Sequence, residues 1–595
     1  VISSPHQLRA LDIHQLGELA EDLRQRIITV CLQNGGHLGA SLGTVEMAIA
    51  LHREMNSPEE PIIWDVGHQA YSHKLLTGRW EAFSKLRQLG GPSGFLSRAE
   101  SPHDFFGAGH SSTSLSAALA AAWARRGTAS WTTAVIGDGG LTAGLALEAL
   151  QQIRGLELGP LLIVINDNQM SISPNVGAIP AILAEGKAAA FFDALGLDYV
   201  GPMDGHDLSQ ILGFLEGVKK NYLGRPVVLH LLTQKGRGYE PAESDPAGYH
   251  GISPVGAGAI PPADSGGLDR NRPSWSEVFS RQVRDWARTD KRIVAITAAM
   301  PEGTGLSSFA QEFPDRFFDV GIAEGHALTF AAGLAAQGLI PIVALYSTFA
   351  QRGIDSLLHD IALQGLGVIV ALDRAGIVGA DGPTHHGAFD LVFSRMIPNV
   401  SIHTPSTGAD LDQIFRGLKA ANGPGGPLII RYPRGPAPSG PAFGGDEYGK
   451  TMTLDHGGGL RITTGHVASV LLISVGHASE KAARAASRVV HDGHDVTHVN
   501  LKRIKPLPEE LLELLSSGNY RQVITVEEGA RNGGVGELIA SICSNYPMPP
   551  RVSIIGYQDQ FLPHGTLAQV EEFAGVSSEN IEEQVRRACE RNGTS

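Results

Sequence analysis

"VIGDGGLTAG", residues 135–144, is an apolar run that breaks into glycines and then opens on helix-forming residues. It looks like a nucleotide-binding turn and departs from both common kinds. A phosphate-binding P-loop carries Lys and then Ser or Thr after its last glycine, whereas Leu145 and Ala146 follow Gly144 here. A dinucleotide fingerprint needs a third glycine where this chain has Thr142. What remains is strand, turn, helix, with Asp138 at the tip. A helix N-terminus offers free N–H donors to a phosphate. Asp138 repels that phosphate unless a cation lies between them.

The next apolar run, "PLLIVINDN", supplies a partner. It closes on Asn166, Asp167 and Asn168, about thirty residues after Asp138. Asp138, Asn168 and a backbone carbonyl near Met170 then offer one ion a small set of oxygens, to be completed by phosphate. That set suits Mg²⁺. Each residue has a plainer reading as well, Asp138 as a helix cap and Asn168 as a turn residue. Their pairing on successive strand ends favours a metal diphosphate.

The same alternation fills the chain. "WTTAVIGDG", "PLLIVINDN", "GRPVVLHLLTQ", "KRIVAITAA", "IPIVALYS", "LGVIVALDR", "GPLIIRYPR", "ASVLLISVG", "DVTHVNLKR" and "RQVITVEEG" read as short strands, separated by Ala- and Leu-rich stretches of helical length. Near-continuous apolar strands between helices indicate parallel sheets covered on both faces, with ligands beyond the strands' carboxyl ends. Two Gly/Pro-rich breaks, 255–274 and 434–459, divide the 595 residues into units of about 1–262, 275–440 and 460–595. The expected fold is α/β, with three consecutive parallel-sheet domains. The net charge of −14 argues against nucleic acid and anionic membranes. Cys31, Cys543 and Cys589 are far apart and form no CxxC, which points to a reduced, cytoplasmic setting without structural zinc. No apolar run is long enough to span a membrane. The first residues lack a secretory signal and begin without Met, so a trimmed leader, including a plastid transit peptide, stays compatible with them.

A GDG turn followed about thirty residues later by an Asn-bearing strand end is similar to the diphosphate-binding signature of thiamine-diphosphate enzymes. "GGHLGASLGTVEMAIALH", "IWDVGHQAYSHKLLTG", "FGAGHSSTSLSAALA", "NDNQMSISPNVGA", "TQKGRGYEPAESDP", "FDVGIAEGHALTFAAGLA", "STFAQRGIDSLLHDIALQ", "DRAGIVGADGPTHHGAFDL" and "RYPRG" closely resemble the 1-deoxy-D-xylulose-5-phosphate synthase family, across nearly the whole chain. The resemblance implies three transketolase-like domains, binding diphosphate and pyrimidine and forming a C-terminal domain. It implies thiamine diphosphate and one Mg²⁺ per subunit, and a homodimer whose active site lies between domains of one chain. It also implies pyruvate and D-glyceraldehyde 3-phosphate as substrates, CO₂ and 1-deoxy-D-xylulose 5-phosphate as products, and a role in isoprenoid, thiamine and pyridoxal synthesis.

Residue by residue, the resemblance makes Asp138, Asn168 and Met170 the metal ligands. His68, Gly109, His110, Ser111, Gly139, Gly140, Asn168, Lys235 and Tyr239 become cofactor contacts. Glu324, in "GIAEGH", becomes the acid that activates the aminopyrimidine; on its own it reads equally as a helix-start glutamate stabilised by the dipole. His37, His250 and His385, with Asp381, face the reacting carbons. Histidine suits proton transfer near neutrality, but most of the 23 histidines must be incidental. His385 and His386 are adjacent, so they point to opposite sides of an extended segment and do not suggest a metal pair. Arg374 and Arg431 close apolar runs and offer forked donors to a phosphate dianion, or a structural ion pair. The resemblance makes them its cradle with Tyr346, and Arg352 a weaker candidate.

Three departures from the family pattern are local. Gly325 stands where the family usually carries Gln, and Gln169 where Glu is common. The stretch 178–198, "AIPAILAEGKAAAFFDALGLD", is much shorter than its counterpart and is expected to leave a folded enzyme with a more open active site. Two other readings compete with the synthase: a general ketol-transferring transketolase, and a non-catalytic thiamine-diphosphate-binding paralogue. "GADGPTHHGAFD" disfavours the first. Retention of Asp138, Asn168, Glu324 and His385 together disfavours the second.

Overall fold

A computed structural model describes residues 2–171, 174–221, 224–254, 272–438, 454–456, 460–462 and 469–593. Most of both Gly/Pro-rich breaks lies outside these residues. The chain forms two compact units, the first made of residues 1–262 with 321–323 and 380–384, the second of the remainder.

The first unit is built on a five-stranded, fully parallel sheet. Its strands are β1 (Ile62–Trp64), β2 (Thr132–Gly137), β3 (Leu161–Asp167), β4 (Asp198–Asp204) and β5 (Val227–Leu232), in the order β1-β2-β3-β5-β4. Successive strand residues point to opposite faces, and here both faces are buried. Leu162 and Val164 enter one apolar cluster, Leu161, Ile163 and Ile165 the other. That is why β3 reads as an unbroken apolar run. Its register with β2 pairs Gly137 with Asn166, so the two polar strand ends emerge side by side.

The second unit holds two sheets. The first contains β6 (Ile293–Thr297), β7 (Phe317–Asp319), β8 (Ile340–Tyr346), β9 (Ile369–Ala375), β10 (Ser401–His403) and β11 (Leu428–Pro433). The other contains β12 (Leu454–His456), β13 (Leu460–Ile462), β14 (Val470–Val475), β15 (Val496–Leu501), β17 (Gln522–Ala530) and β18 (Arg551–Tyr557). Between them in the chain, β16 (Arg503–Lys505) leaves its neighbours and pairs antiparallel with β10, giving the order β16-β10-β11-β9-β8-β6-β7. One apolar cluster serves both sheets, taking Val343, Val370 and Leu372 from one and Leu471, Ile473 and Val523 from the other. The expectation of three mostly parallel sheets in an α/β fold is met. All ten runs read as strands from the sequence are strands.

Candidate functional site

In the first unit the polar ends of β2 and β3 form the centre of the site. Asp138 follows β2 directly and begins the short helix Asp138–Leu141. It is buried, 2% exposed. Asn175 Nδ2 donates to its Oδ2 at 2.6 Å, while its Oδ1 is buried without a hydrogen-bond partner. Burial and the neighbouring Asp167 carboxylate push the Asp138 carboxyl well above the usual range. The two carboxyls lie within hydrogen-bonding reach of each other, so in this buried setting they need a proton or a cation between them. Asn168 stands immediately after β3, and its Oδ1 accepts the Met170 N–H at 3.1 Å. Gln169 between them has φ +62°, which turns the chain sharply.

Glycine is required beside Asp138 for space. A Cβ on Gly139 would meet Ser171 Cβ at 2.9 Å, and one on Gly140 would meet Asp65 Oδ1 at 2.9 Å. Lys235, 5% exposed, donates from Nζ to the Ser171 carbonyl at 2.9 Å; burial lowers its pKa to about 8. A buried cation therefore sits at the Asn168–Ser171 turn. Tyr239 follows in the same loop, its ring edge-on to Tyr249 at 5.9 Å. Gly109 packs on Thr384, where a Cβ would come within 2.5 Å, and His110 Nε2 donates to the Thr384 carbonyl at 2.9 Å. Ser111 is buried next to it.

Three of the sequence-selected histidines converge. The rings of His37 and His68 are 5.8 Å apart, His37 and His250 5.6 Å, His68 and His250 5.2 Å. Nδ1 of both His68 and His250 is buried without a partner. Burial, with Lys235 nearby, lowers His68 to about 3, and burial with neighbouring histidines holds His250 well below the usual value. Both are neutral at pH 7 and available as acceptors. Asp381 is in this unit too, ion-paired with Arg87 at 2.7 Å.

The second unit carries the remaining candidates. Glu324 is the first residue of the helix Glu324–Ala336 and is 5% exposed. Burial raises its pKa, against the attraction of the Arg352 guanidinium. Strands β8, β9 and β11 are neighbours and present Tyr346, Arg374 and Arg431 toward their carboxyl ends. Arg374 stacks its guanidinium over the Tyr346 ring at 4.0 Å and has φ +57°. Arg431 forms a buried ion pair, Nε to Asp390 Oδ2 at 2.7 Å, and also donates from Nη2 to the Glu528 carbonyl. His385 lies edge-on to Phe349 at 5.4 Å. Its neighbour His386 is structural: Nδ1 accepts the Val378 N–H at 3.1 Å and Nε2 donates to the Pro563 carbonyl at 3.1 Å.

The sequence reading missed Arg87, Asn175 and Asp65. Asn175 lay in the quoted "SISPNVGA" and Asp65 in "WDVGHQAY", but only their approach to Asp138 and Gly140 shows what they do. Among the described residues, no group of three or more His, Cys, Asp or Glu is arranged to hold a metal.

The 1-deoxy-D-xylulose-5-phosphate synthase family model matches residues 1–190 and 182–233, the transketolase pyrimidine-binding domain 271–439, and the transketolase C-terminal domain 464–581. A Geobacter sulfurreducens protein named 1-deoxy-D-xylulose-5-phosphate synthase 2 is 41% identical, over 99% of both chains. A synthase of that name from Carboxydothermus hydrogenoformans is 42% identical, over 98% of this chain and 97% of its own. The chain belongs to the 1-deoxy-D-xylulose-5-phosphate synthase family. It is a transferase of thiamine-diphosphate type, and the family acts in isoprenoid biosynthesis. The Geobacter alignment runs over 637 positions, more than the 595 residues of this chain, so that synthase carries residues this chain lacks. The two stretches of the first family match meet at 182–190, within the short segment. Among solved structures, transketolase from Campylobacter jejuni is 18% identical over 97% of this chain and all of its own, with a TM-score of 0.44.

Proposed function

We propose that this chain catalyses the decarboxylation of pyruvate and the joining of the remaining two carbons to D-glyceraldehyde 3-phosphate, giving 1-deoxy-D-xylulose 5-phosphate and CO₂. The observation that carries this reading is the match, at 41% identity over 99% of the chain, to a synthase named for that product. The donor set fits the cofactor: a bare buried carboxylate oxygen, two glycines where a Cβ would collide, and a buried ammonium at the neighbouring turn. Thiamine diphosphate supplies, when bound, the electron sink that breaking and making these carbon–carbon bonds requires.

The residues divide the work. Asp138, Asn168 and the Met170 carbonyl would hold Mg²⁺ for the diphosphate, with Gly139 and Gly140 leaving backbone access and Lys235 offsetting charge. His68, Gly109, His110, Ser111 and Tyr239 line the cofactor. Glu324 would share a proton with a pyrimidine ring nitrogen; its burial raises its pKa and so favours the protonated form. His37, His250 and His385 move protons at the reacting carbons, and Asp381, fixed by Arg87, orients the aldehyde. Arg374, Arg431 and Tyr346 take the acceptor's phosphate. Arg352 is a weaker candidate for the same phosphate. Residues 1–262, 275–440 and 460–595 serve as diphosphate, pyrimidine and C-terminal domains, in a cytoplasmic homodimer. No helix among the described residues is long and apolar enough to cross a membrane.

One assay tests the reading: release of CO₂ from labelled pyruvate, with and without glyceraldehyde 3-phosphate, in the presence of Mg²⁺ and thiamine diphosphate. Acceptor-dependent release with formation of the five-carbon sugar phosphate is expected. A protein that ignores pyruvate but transfers a ketol from a sugar phosphate would be a transketolase instead.

A further inference from the structure

The carboxyl end of β1 carries a buried carboxylate that binds three separate motifs to one another. Asp65 is 1% exposed. Its N–H donates to the Val135 carbonyl at 2.8 Å, which joins it to the strand leading into Asp138. Its own carbonyl accepts from Gln69 Nε2 at 2.9 Å, closing the loop that contains His68. Its two carboxylate oxygens go elsewhere. Oδ1 accepts the Ser112 N–H at 2.6 Å, and Oδ2 accepts the Ser114 N–H at 3.1 Å, at the start of the helix Ser114–Ala124.

Ser112 is the unusual member. It is fully buried and has φ +71°, a region a side chain disfavours and glycine adopts freely. Its hydroxyl does not serve the helix that follows. It donates to the Gly140 carbonyl at 2.6 Å and lies 3.2 Å from Ser111 Oγ. This hydroxyl thus holds the Gly139–Gly140 turn, and Gly140 packs so closely on Asp65 that a Cβ would meet its Oδ1 at 2.9 Å. A carboxylate that only capped the helix would need neither the left-handed serine nor its hydroxyl.

We propose that Asp65, acting through Ser112, is the positioning residue that sets the Gly139–Gly140 turn and the His110–Ser111 segment at one height for a diphosphate. The inference rests on the thiamine-diphosphate reading above. Ser112 touches the turn through its hydroxyl and Asp65 acts on it through Ser112, so the expected effect falls on cofactor affinity.

The test is calorimetric titration of thiamine diphosphate with Mg²⁺ into the full-length, cofactor-free chain, beside a thermal melt of the same sample. Ser112→Gly relieves the strained φ and removes one hydroxyl. It should melt close to wild type and bind the cofactor about five- to tenfold more weakly, the ordinary worth of one hydrogen bond. The KM for the cofactor should rise in step, with kcat recovered at saturation. Asp65→Asn, which keeps one acceptor and the side-chain shape, should bind more weakly still. If Asp65→Asn fails to fold, the Ser112→Gly result decides alone. Equal cofactor affinity in Ser112→Gly and wild type overturns the proposal. So does a fall in affinity that merely tracks a fall in Tm. A wild-type chain that binds no thiamine diphosphate overturns the functional reading itself.

Discussion

Asp138 has one carboxylate oxygen held by Asn175 and one with no partner, in a buried site shared with Asp167. Asp138→Ala should therefore leave the fold intact and abolish Mg²⁺-dependent cofactor binding; calorimetry showing wild-type affinity would refute the assignment. Glu324→Gln should still bind the cofactor but slow proton exchange at its reactive carbon by roughly a hundredfold, the low end for a lost acid–base group. Wild-type exchange, followed by NMR in deuterium oxide, would sink that role. The two arginines differ in a way their strand-end positions did not reveal. Arg374 stacks on Tyr346, so Arg374→Ala should lower kcat/KM for glyceraldehyde 3-phosphate far more than for unphosphorylated glyceraldehyde, which has no dianion to lose. Equal losses for both aldehydes would exclude a phosphate role. Arg431→Ala would also strand Asp390 in the interior, a defect that costs about 3–5 kcal/mol of stability, so the arginine test belongs to Arg374. Residue types at strand ends were legible in the sequence. Their partners were not, because Asp390, Asn175 and Arg87 lie far along the chain from the residues they hold.

At the scale of elements, the short segment 178–198 is more than a remnant of a loop. It forms two helices, Ala178–Ala184 and Ala188–Ala194, pinned by buried Leu183 and Phe192. Phe192 stacks on Tyr199 of β4, with ring centroids 5.7 Å apart. Phe192→Ala should cost about 3–5 kcal/mol, read from denaturant unfolding. A loss below 1 kcal/mol would mean the segment is not anchored. Grafting a full-length family segment between Gly177 and Leu195 tests whether the missing part is a lid. Lengthened life of the enzyme-bound pyruvate product in the absence of aldehyde, followed by circular dichroism, is expected of a lid that excludes water. An unchanged lifetime would leave the missing part a surface loop without kinetic effect. The strands that escaped the sequence reading do so for two reasons: β1, β10, β12, β13 and β16 are three residues long, too short for an alternation to show, and β4 and β18 are edge strands that are only partly buried.

Over the whole molecule, buried histidines set the response to acid. Burial depresses His68 and His498 to about 3, His73 and His403 to about 4, and His52 and His250 well below the usual value. Folded, they are neutral; released, each takes a proton below about pH 6.5. The unfolded chain then binds more protons, so their contribution to stability is complete above pH 6.5 and falls as pH drops toward 4, by up to about 1.4 kcal/mol per pH unit for each. Unfolding midpoints measured from pH 8 to pH 5 should hold steady and then decline below 6.5. A flat profile down to pH 5 would show that these side chains are not buried neutral. The sequence by itself determined the fold class, the three sheets and the motif residues, because a strand buried on both faces must be apolar along its length and a turn that meets phosphate must spend glycines. Only the tertiary structure decided which polar groups pair, that β16 crosses to the neighbouring sheet, that Arg431 is held by Asp390, and that Asp65 reaches the Gly140 turn through Ser112. Those facts rest on contacts between residues remote in the chain, and local periodicity carries no record of them.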